Sequence, residues 1–273
     1  IDVEKISTIA KEAGDEIMRI YRSGDFEVEA KSDDSPLTKA DNAANEIICT
    51  SLQELYPHIP IMSEENKQEA YEDRKDRAYY WCIDPLDGTK EFIKQNGEFT
   101  VNIALIEGTV PVLGVVFAPA LGQLYFAKKG EGAYREVFSV QRSAFSTQRL
   151  PLKQNNDYTK EVRVVASKSH RSAQTESFIE NIAHNTSHIV LTSIGSSLKL
   201  CMIAEGSADI YPRLAPTMEW DSAAAHAVVK EAGREAYIYD ENIPARNYLQ
   251  TSGDLKPLRY NKPDLLNPFF VVV

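Results

Sequence analysis

Hydrophobic residues recur at steps of three and four positions through residues 6–21. This spacing predicts an amphipathic helix, and Gly24 marks its end. The same kind of pattern predicts a second helix over about 38–55, which Pro57 stops. Shorter hydrophobic runs bounded by Gly, Pro or charged residues predict strands over 59–62, 78–83, 99–107, 112–118 and 124–127.

The remainder of the chain divides into two irregular stretches and an alternating region. Residues 63–77 are predicted to be a charged loop, and the polar, poorly periodic residues 136–160 are predicted to be a linker. Strands are then predicted over 161–167, 188–194, 208–211, 235–239 and 269–273, with helices over 172–183, 197–205 and 222–232. This order predicts a layered α/β fold with two sub-domains, residues 1–150 and 151–273.

The net charge and the spacing of the cysteines restrict the ligands and the compartment that the chain is expected to have. Forty acidic and thirty basic side chains give a net charge of −10, which opposes binding of a nucleic acid polymer. Small phosphates can still bind where bound metal ions make the local charge positive. Cys49, Cys82 and Cys201 are widely spaced, as is typical of reduced thiols. We expect a cytoplasmic protein, because we recognise no signal peptide and no transmembrane segment.

The sequence DPLDGT, which begins at Asp84, is the most informative segment. A strand is expected to end at Asp84, Gly88 permits a sharp turn, and Thr89 is expected at a helix N-cap. Two carboxylates, Asp84 and Asp87, would then lie beside the Leu86 carbonyl and helix-start N–H groups. Mg²⁺ prefers such oxygens, and phosphate suits such N–H groups. The alternative is a turn in which Asp87 and Thr89 only cap a helix.

Two further acidic positions lie at the ends of predicted elements. Glu64 follows a predicted strand, and Asp221 opens the predicted helix 222–232. Taken singly, Glu64 is a solvated loop residue and Asp221 a routine N-cap. Together with the carboxylates of DPLDGT, they provide the oxygen ligands that a shared metal centre requires.

Asp41 has two interpretations that the sequence leaves open. Thr38 and Asp41 have the spacing of a capping box at the start of the second helix. The functional alternative makes Asp41 the partner of a hydroxyl that orients an attacking water.

Four other residues are candidates for holding a phosphate, ribose or base. Ser196 follows a glycine at a predicted helix start, and Lys199 lies one turn later. Arg213 follows a short predicted strand, and His170 lies just past another. The alternatives are an N-cap for Ser196, a surface ion pair for Arg213 and a structural role for His170. Motifs for a P-loop, a dinucleotide-binding fold or a serine hydrolase do not occur.

The DPLDGT segment, its continuation KEFIK and NGEFTVNIA, Glu64, and the WDSA around Asp221 carry a family resemblance. They resemble the inositol monophosphatase superfamily of Mg²⁺-dependent, Li⁺-sensitive phosphatases. Within it, the chain resembles the CysQ-type 3′(2′),5′-bisphosphate nucleotidases. The resemblance implies an αβαβα sandwich that hydrolyses adenosine 3′,5′-bisphosphate to AMP and phosphate, with 3′-phosphoadenylyl sulfate as a further substrate.

The resemblance also implies the metal ligands. One Mg²⁺ would be bound by Glu64, Asp84 and the Leu86 carbonyl, and a second by Asp84, Asp87 and Asp221. Glu64 would also help to bind a third, weakly held ion.

It further implies that Asp41 and Thr89 accept the proton of the nucleophilic water. The substrate would contact Glu64, Leu86, Asp87, Gly88, Thr89, His170, Ser196, Lys199, Arg213 and Asp221.

Two alternative functions remain. An inositol or sugar monophosphatase would use the same metal core without a pocket for a second phosphate. A protein that binds a nucleotide or phosphoinositide without turnover would need neither Asp41 nor Thr89, yet both are present. The sequence is compatible with a monomer or a homodimer. It is also compatible with a cytoplasmic protein that makes peripheral contact with the inner membrane face.

Overall fold

The computed structural model describes residues 1–30, 36–138, 145–153, 157–166, 172–184 and 186–273. Its helices are α1 Val3–Ser23, α2 Lys39–Leu55, α3 Tyr71–Arg74, α4 Thr89–Ile93, α5 Ala173–Ala183, α6 Leu198–Glu205, α7 Glu219–Glu231 and α8 Ala245–Leu249. Its first nine strands are β1 Glu29–Ala30, β2 Pro36–Leu37, β3 Ile61–Ser63, β4 Tyr79–Asp87, β5 Thr100–Glu107, β6 Val110–Ala118, β7 Gln123–Lys128, β8 Gly132–Phe138 and β9 Phe145–Arg149. The others are β10 Glu161–Ala166, β11 His188–Ser193, β12 Tyr211–Arg213, β13 Ala236–Ile238 and β14 Phe270–Val272.

The largest sheet has seven strands in the order β3 to β9. β3 is parallel to β4, and each later strand is antiparallel to the one before it. Side chains alternate across a strand, so β5 serves two cores. Val101 and Ile103 pack on the face that α1 and α2 cover. Ala104 and Ile106 pack on the opposite face with residues of α6 and α7.

The second β layer is built from two smaller sheets. β12, β14 and β13 are antiparallel neighbours, and β10 is parallel to β11. On β14, Phe270 and Val272 face the core shared with α6 and α7, whereas Val271 faces the core shared with α5 and α8. Helices and sheets therefore alternate in an αβαβα order, which confirms the predicted fold class.

Most predicted elements lie within a few residues of the observed ones, but residues 136–160 are not simply a linker. β8 extends to Phe138, and β9 pairs with it antiparallel as the last strand of the sheet. The side chains of residues 146–149 are exposed, so β9 lacks the hydrophobic alternation that reveals a half-buried strand. Similarly, the predicted loop 63–77 contains the short helix α3.

Two properties expected from the sequence can be compared with the described residues. Cys82 and Cys201 are buried, Cys49 is half-buried, and all three are free thiols. Among the described residues, no helix has the length and hydropathy that crossing a bilayer requires.

Candidate metal and phosphate site

The DPLDGT segment is placed slightly differently from the prediction. β4 does not end at Asp84 but continues to Asp87, with a shift of register against β5 between these two residues. Gly88 has φ 94° and is the N-cap of α4, so Thr89 is the first residue of the helix rather than its cap. A positive φ favours glycine, which explains why the turn falls there. The turn places the Asp87 and Thr89 side chains in one cavity.

Three carboxylates converge on the end of β4. One oxygen each of Glu64, Asp84 and Asp221 lies within 4.8 Å of the others. Glu64 directly follows β3 and donates its backbone N–H to the Ile83 carbonyl at 3.1 Å. Asp84 is only 2 % exposed. The parallel pairing of β3 with β4 therefore brings Glu64 next to Asp84.

Asp221 reaches this cluster from the other half of the chain. α7 begins at Glu219, so Asp221 is the third residue of the helix and not its N-cap. Its Oδ2 accepts the backbone N–H of Met218 at 2.8 Å and the Thr217 hydroxyl at 2.6 Å. Thr217 was not identified from the sequence, although a hydroxyl four residues before an acid at a helix start is a usable signal. These contacts fix one oxygen of Asp221 on its own helix.

The clustered carboxylates are unfavourable without a cation. Burial raises the pKa of Asp84 well above its ordinary value, and the negative charges of Glu64 and Asp87 raise it further. Burial, together with the charge of Asp221, raises the pKa of Asp87 to about 7. A divalent ion would reverse this local repulsion. The donor set consists of hard oxygens, so these residues fit Mg²⁺.

Asp41 both caps a helix and accepts a hydrogen bond from the Thr89 hydroxyl, so the two interpretations of this residue are compatible. Its Oδ2 accepts the backbone N–H of Thr38 at 2.8 Å and the Thr38 hydroxyl at 2.6 Å, as in a capping box. Its Oδ1 accepts the Thr89 hydroxyl at 3.1 Å. The carboxylate is 1 % exposed, so α2 holds it rigidly behind Thr89.

A cavity of about 200 Å³ joins the acidic cluster to the candidates for substrate binding. The acids Glu64, Asp87 and Asp221 line it, and so do Gly88, Thr89, Ser196, Lys199 and Arg213. Lys90 and Glu91, which the sequence reasoning did not single out, line it as well. They directly follow Thr89, so proximity to DPLDGT was the available signal.

Ser196 and Lys199 lie where a turn leads into α6. Ser197, not Ser196, is the N-cap, and Ser196 has φ 49°. The Lys199 ammonium donates to the Ser196 carbonyl and lies 5.7 Å from the centre of the Tyr211 ring. Burial lowers the pKa of Lys199 to about 8, and the nearby Arg213 acts in the same direction while Asp87 opposes it.

Arg213 is half-buried at the end of β12. One guanidinium nitrogen, Nη2, donates to the Pro216 carbonyl at 2.5 Å. Its Nε is buried and has no hydrogen-bond partner among the described residues. Within the part of the chain that the structure describes, Arg213 forms no ion pair, which was one of the two alternatives that the sequence left open. His170 lies outside the described residues.

Comparison with known proteins agrees with this geometry. A model of the inositol monophosphatase family matches residues 2–268. The chain belongs to the inositol monophosphatase family. This confirms the resemblance that the DPLDGT segment carries.

Curated relatives within the family are similar over nearly the whole chain. The chain is 43 % identical to the 3′(2′),5′-bisphosphate nucleotidase CysQ of Salmonella typhimurium over 257 residues, covering 93 % of this chain and 97 % of that protein. It is 41 % identical to the protein of the same name from Escherichia coli K12, with the same coverage.

Solved structures of the family share the fold. The crystal structure of CysQ from Bacteroides thetaiotaomicron has a TM-score of 0.80 and 42 % identity, covering 98 % of this chain and 95 % of that chain. The suhB protein of Bartonella henselae, at 22 % identity, has a TM-score of 0.72 and covers 98 % of this chain and 92 % of its own. The latter likeness extends to the fold alone.

Proposed function

We propose that this protein is a Mg²⁺-dependent 3′(2′),5′-bisphosphate nucleotidase that hydrolyses adenosine 3′,5′-bisphosphate to AMP and phosphate. The observation that carries the proposal is that one cavity is lined both by the acids Glu64 and Asp221 and by the cations Lys199 and Arg213. A metal cluster and separate cations are both needed when a substrate carries two phosphates. The curated relatives named CysQ support the same activity. The 3′-phosphate of 3′-phosphoadenylyl sulfate is a further candidate for hydrolysis.

The acidic residues would hold two Mg²⁺ ions, with a third bound weakly. Glu64, Asp84 and the Leu86 carbonyl would bind one ion, and Asp84, Asp87 and Asp221 another. When bound, the ions supply positive charge for the phosphate and lower the pKa of a coordinated water. The half of the chain before residue 150 thus provides most of the ligands, and the other half completes the site with Asp221.

Asp41 and Thr89 would prepare the water for attack. The Thr89 hydroxyl donates its hydrogen to Asp41 Oδ1, so its free lone pair points away from Asp41 and can accept a hydrogen from water. The negative charge of Asp41 favours this arrangement. Asp41 would receive the proton of the water through the Thr89 hydroxyl. Displacement would be in-line, with Gly88 and Thr89 contacting the scissile phosphate at the start of α4.

The other side of the cavity would hold the remainder of the nucleotide. Arg213 lines the cavity, and a guanidinium suits phosphate because it can donate two parallel hydrogen bonds. Lys199 adds charge, and Ser196 a hydroxyl. An inositol or sugar monophosphatase, the alternative with the same metal core, would have no use for this second cationic position.

A substrate panel tests the proposal directly. Phosphate release from adenosine 3′,5′-bisphosphate, inositol 1-phosphate and fructose 1,6-bisphosphate is measured with Mg²⁺ and with chelator. We expect the highest kcat/KM on the nucleotide and no turnover with chelator. A preference for inositol 1-phosphate would support the alternative, and binding without phosphate release on any substrate would overturn an enzymatic role.

A further inference from the structure

Buried polar residues connect the turn that carries Ser196 to the start of β5 through hydrogen bonds. Thr100 and Asn102 are two positions apart on β5, so their side chains lie on the same face of the strand. Both are fully buried, and neither lines the cavity. Ser197, the N-cap of α6, is 2 % exposed and lies against both of them.

The donors and acceptors of this cluster fit only one arrangement. The Ser197 hydroxyl donates its single hydrogen to Asn102 Oδ1 at 2.9 Å. The hydrogen bond of 2.9 Å between Ser197 and Thr100 must therefore be donated by Thr100. Asn102 then presents its Nδ2 to Asp87 Oδ2, 3.4 Å away. Thr100, Ser197 and Asn102 thus form a directed series of hydrogen bonds that ends on Asp87.

Ser197 makes a second contact with the same carboxylate oxygen. Its backbone N–H donates to Asp87 Oδ2 at 2.5 Å. Two residues earlier in the loop, the Gly195 N–H donates to Glu98 Oε2 at 2.8 Å. Gly195 sits so close that an added Cβ would lie 2.8 Å from the Glu98 carbonyl oxygen and from Glu91 Cγ. The loop is therefore seated on residues 87–102 with little room to shift.

We propose that Thr100 and Asn102 are positioning residues that, through Ser197, hold the substrate-side loop in register with Asp87. The inference rests on the proposed function, because it assigns Ser196 and Lys199 to the substrate and Asp87 to the metal. Buried polar groups specify one arrangement only when every partner is present. Loss of a hydroxyl or amide here releases the loop, and the part of the substrate remote from the metals is then held less well.

The test compares Thr100→Val, which removes the hydroxyl, with Thr100→Ser, which keeps it. Asn102→Ala is the second disruptive variant. Ser172→Ala is the matched control, since the Ser172 hydroxyl also makes side-chain and backbone hydrogen bonds, to Thr175 and to the Leu214 carbonyl, but at the half-buried N-cap of α5. Thermal unfolding of each variant identifies those that are folded before any further measurement.

The first measurement needs no substrate. Amide hydrogen exchange is followed in peptides covering residues 195–200 of the free protein. We expect exchange about tenfold faster in Thr100→Val and Asn102→Ala, which is the effect of losing about one hydrogen bond of 1.4 kcal/mol. Thr100→Ser and Ser172→Ala should match the wild type. Equal acceleration in Thr100→Ser, or none in Thr100→Val and Asn102→Ala, overturns the proposal.

The second measurement separates positioning from general damage. For adenosine 3′,5′-bisphosphate, we expect KM to rise about tenfold in Thr100→Val with kcat within about twofold, whereas kcat/KM for phenyl phosphate changes by less than about twofold. Equal losses on both substrates would make the role merely structural. If the wild type does not hydrolyse the bisphosphate, the proposed function fails, and hydrogen exchange alone decides the positioning role.

Discussion

The Thr89 hydroxyl lies 3.1 Å from Oδ1 of Asp41, while Oδ2 of the same carboxylate caps helix α2. The Asp41 side chain thus caps the N-terminus of α2 with one oxygen and accepts a hydrogen bond from the candidate catalytic hydroxyl with the other. The two interpretations of Asp41 that spacing alone cannot separate are compatible in the structure. The cap explains how a buried carboxylate keeps a fixed orientation behind Thr89.

This relationship predicts a specific kinetic effect. Asp41→Asn and Thr89→Ala should each lower kcat by about 10²- to 10⁴-fold with little change in KM, because both groups act on the water. Thr38→Ala is the matched control. It removes a capping hydroxyl and one hydrogen bond to Asp41 Oδ2, but the Thr38 N–H and the Thr89 hydroxyl still bond the carboxylate. Thr38→Ala should therefore cost about 0.5–2 kcal/mol of unfolding free energy and lower kcat far less than Asp41→Asn does.

Steady-state kinetics and urea unfolding of the three variants check this prediction. If Asp41→Asn loses stability but no more kcat than Thr38→Ala does, then Asp41 is a helix cap and nothing more.

The second prediction concerns the metal cluster. Asp84→Asn should abolish Mg²⁺-dependent turnover while the protein remains folded, because Asp84 is proposed to bridge both ions and an amide is a neutral, poorer ligand. Calorimetric titration with Mn²⁺ should show weaker binding in this variant. Asp76→Asn, which changes an exposed aspartate after α3, should behave as the wild type in both measurements. Near-normal turnover of Asp84→Asn at low Mg²⁺ would contradict the bridging role.

The third prediction is a pH dependence of stability in chelator. Burial and the charge of Asp221 raise the pKa of Asp87 from 3.8 to about 7. Between these values the folded protein keeps a proton that the unfolded chain has lost, so the free energy of unfolding falls as pH rises. The penalty is complete above about pH 7. Mg²⁺ should therefore stabilise the protein more at about pH 8 than at about pH 5.

Urea unfolding at these two pH values, with and without Mg²⁺, measures this effect. The Asp87→Asn variant should lose less stability than the wild type between about pH 5 and about pH 8 in chelator. An identical fall in both proteins would show that other groups dominate.

The sequence predicted the site best where its parts are local. Asp84, Asp87 and Thr89 lie within six consecutive residues, so strand and turn signals bring them together before any tertiary contact is considered. The convergence of Glu64 with Asp221 depends on the pairing of β3 with β4 and on the packing of α7, which no local pattern contains. That the three acids share a cluster could be predicted only from their number and from the family resemblance.

The errors have separate physical causes. β9 was missed because its exposed side chains obscure the alternation of a half-buried strand. The Thr89 cap was misplaced by one residue, since the positive φ of Gly88 makes that glycine the cap. The link between Thr100 and Ser197 was not foreseen, because a Thr on a predicted strand gives no sign of a partner about a hundred positions away.

The last prediction concerns substrate choice. A nucleotidase for a bisphosphate must recognise one phosphate at the metals and another some distance away, and Arg213 is the candidate for the second. Arg213 lines the cavity, and a guanidinium can donate paired hydrogen bonds to a phosphate. Arg213→Ala should lower kcat/KM for adenosine 3′,5′-bisphosphate about ten- to a hundredfold, which corresponds to about 1.5–3 kcal/mol for a hydrogen bond to a charged group.

The matched substrate is adenosine 3′-monophosphate, which keeps the base, the ribose and the scissile phosphate but lacks the second one. Its kcat/KM should change little in Arg213→Ala. Arg213→Lys should give an intermediate loss on the bisphosphate, because an ammonium keeps the charge without the paired donors. Arg19→Ala, at an exposed ion pair on α1, should alter neither substrate. Equal losses on both substrates in Arg213→Ala would make Arg213 structural, and the second phosphate would then have to be held by other residues of the cavity.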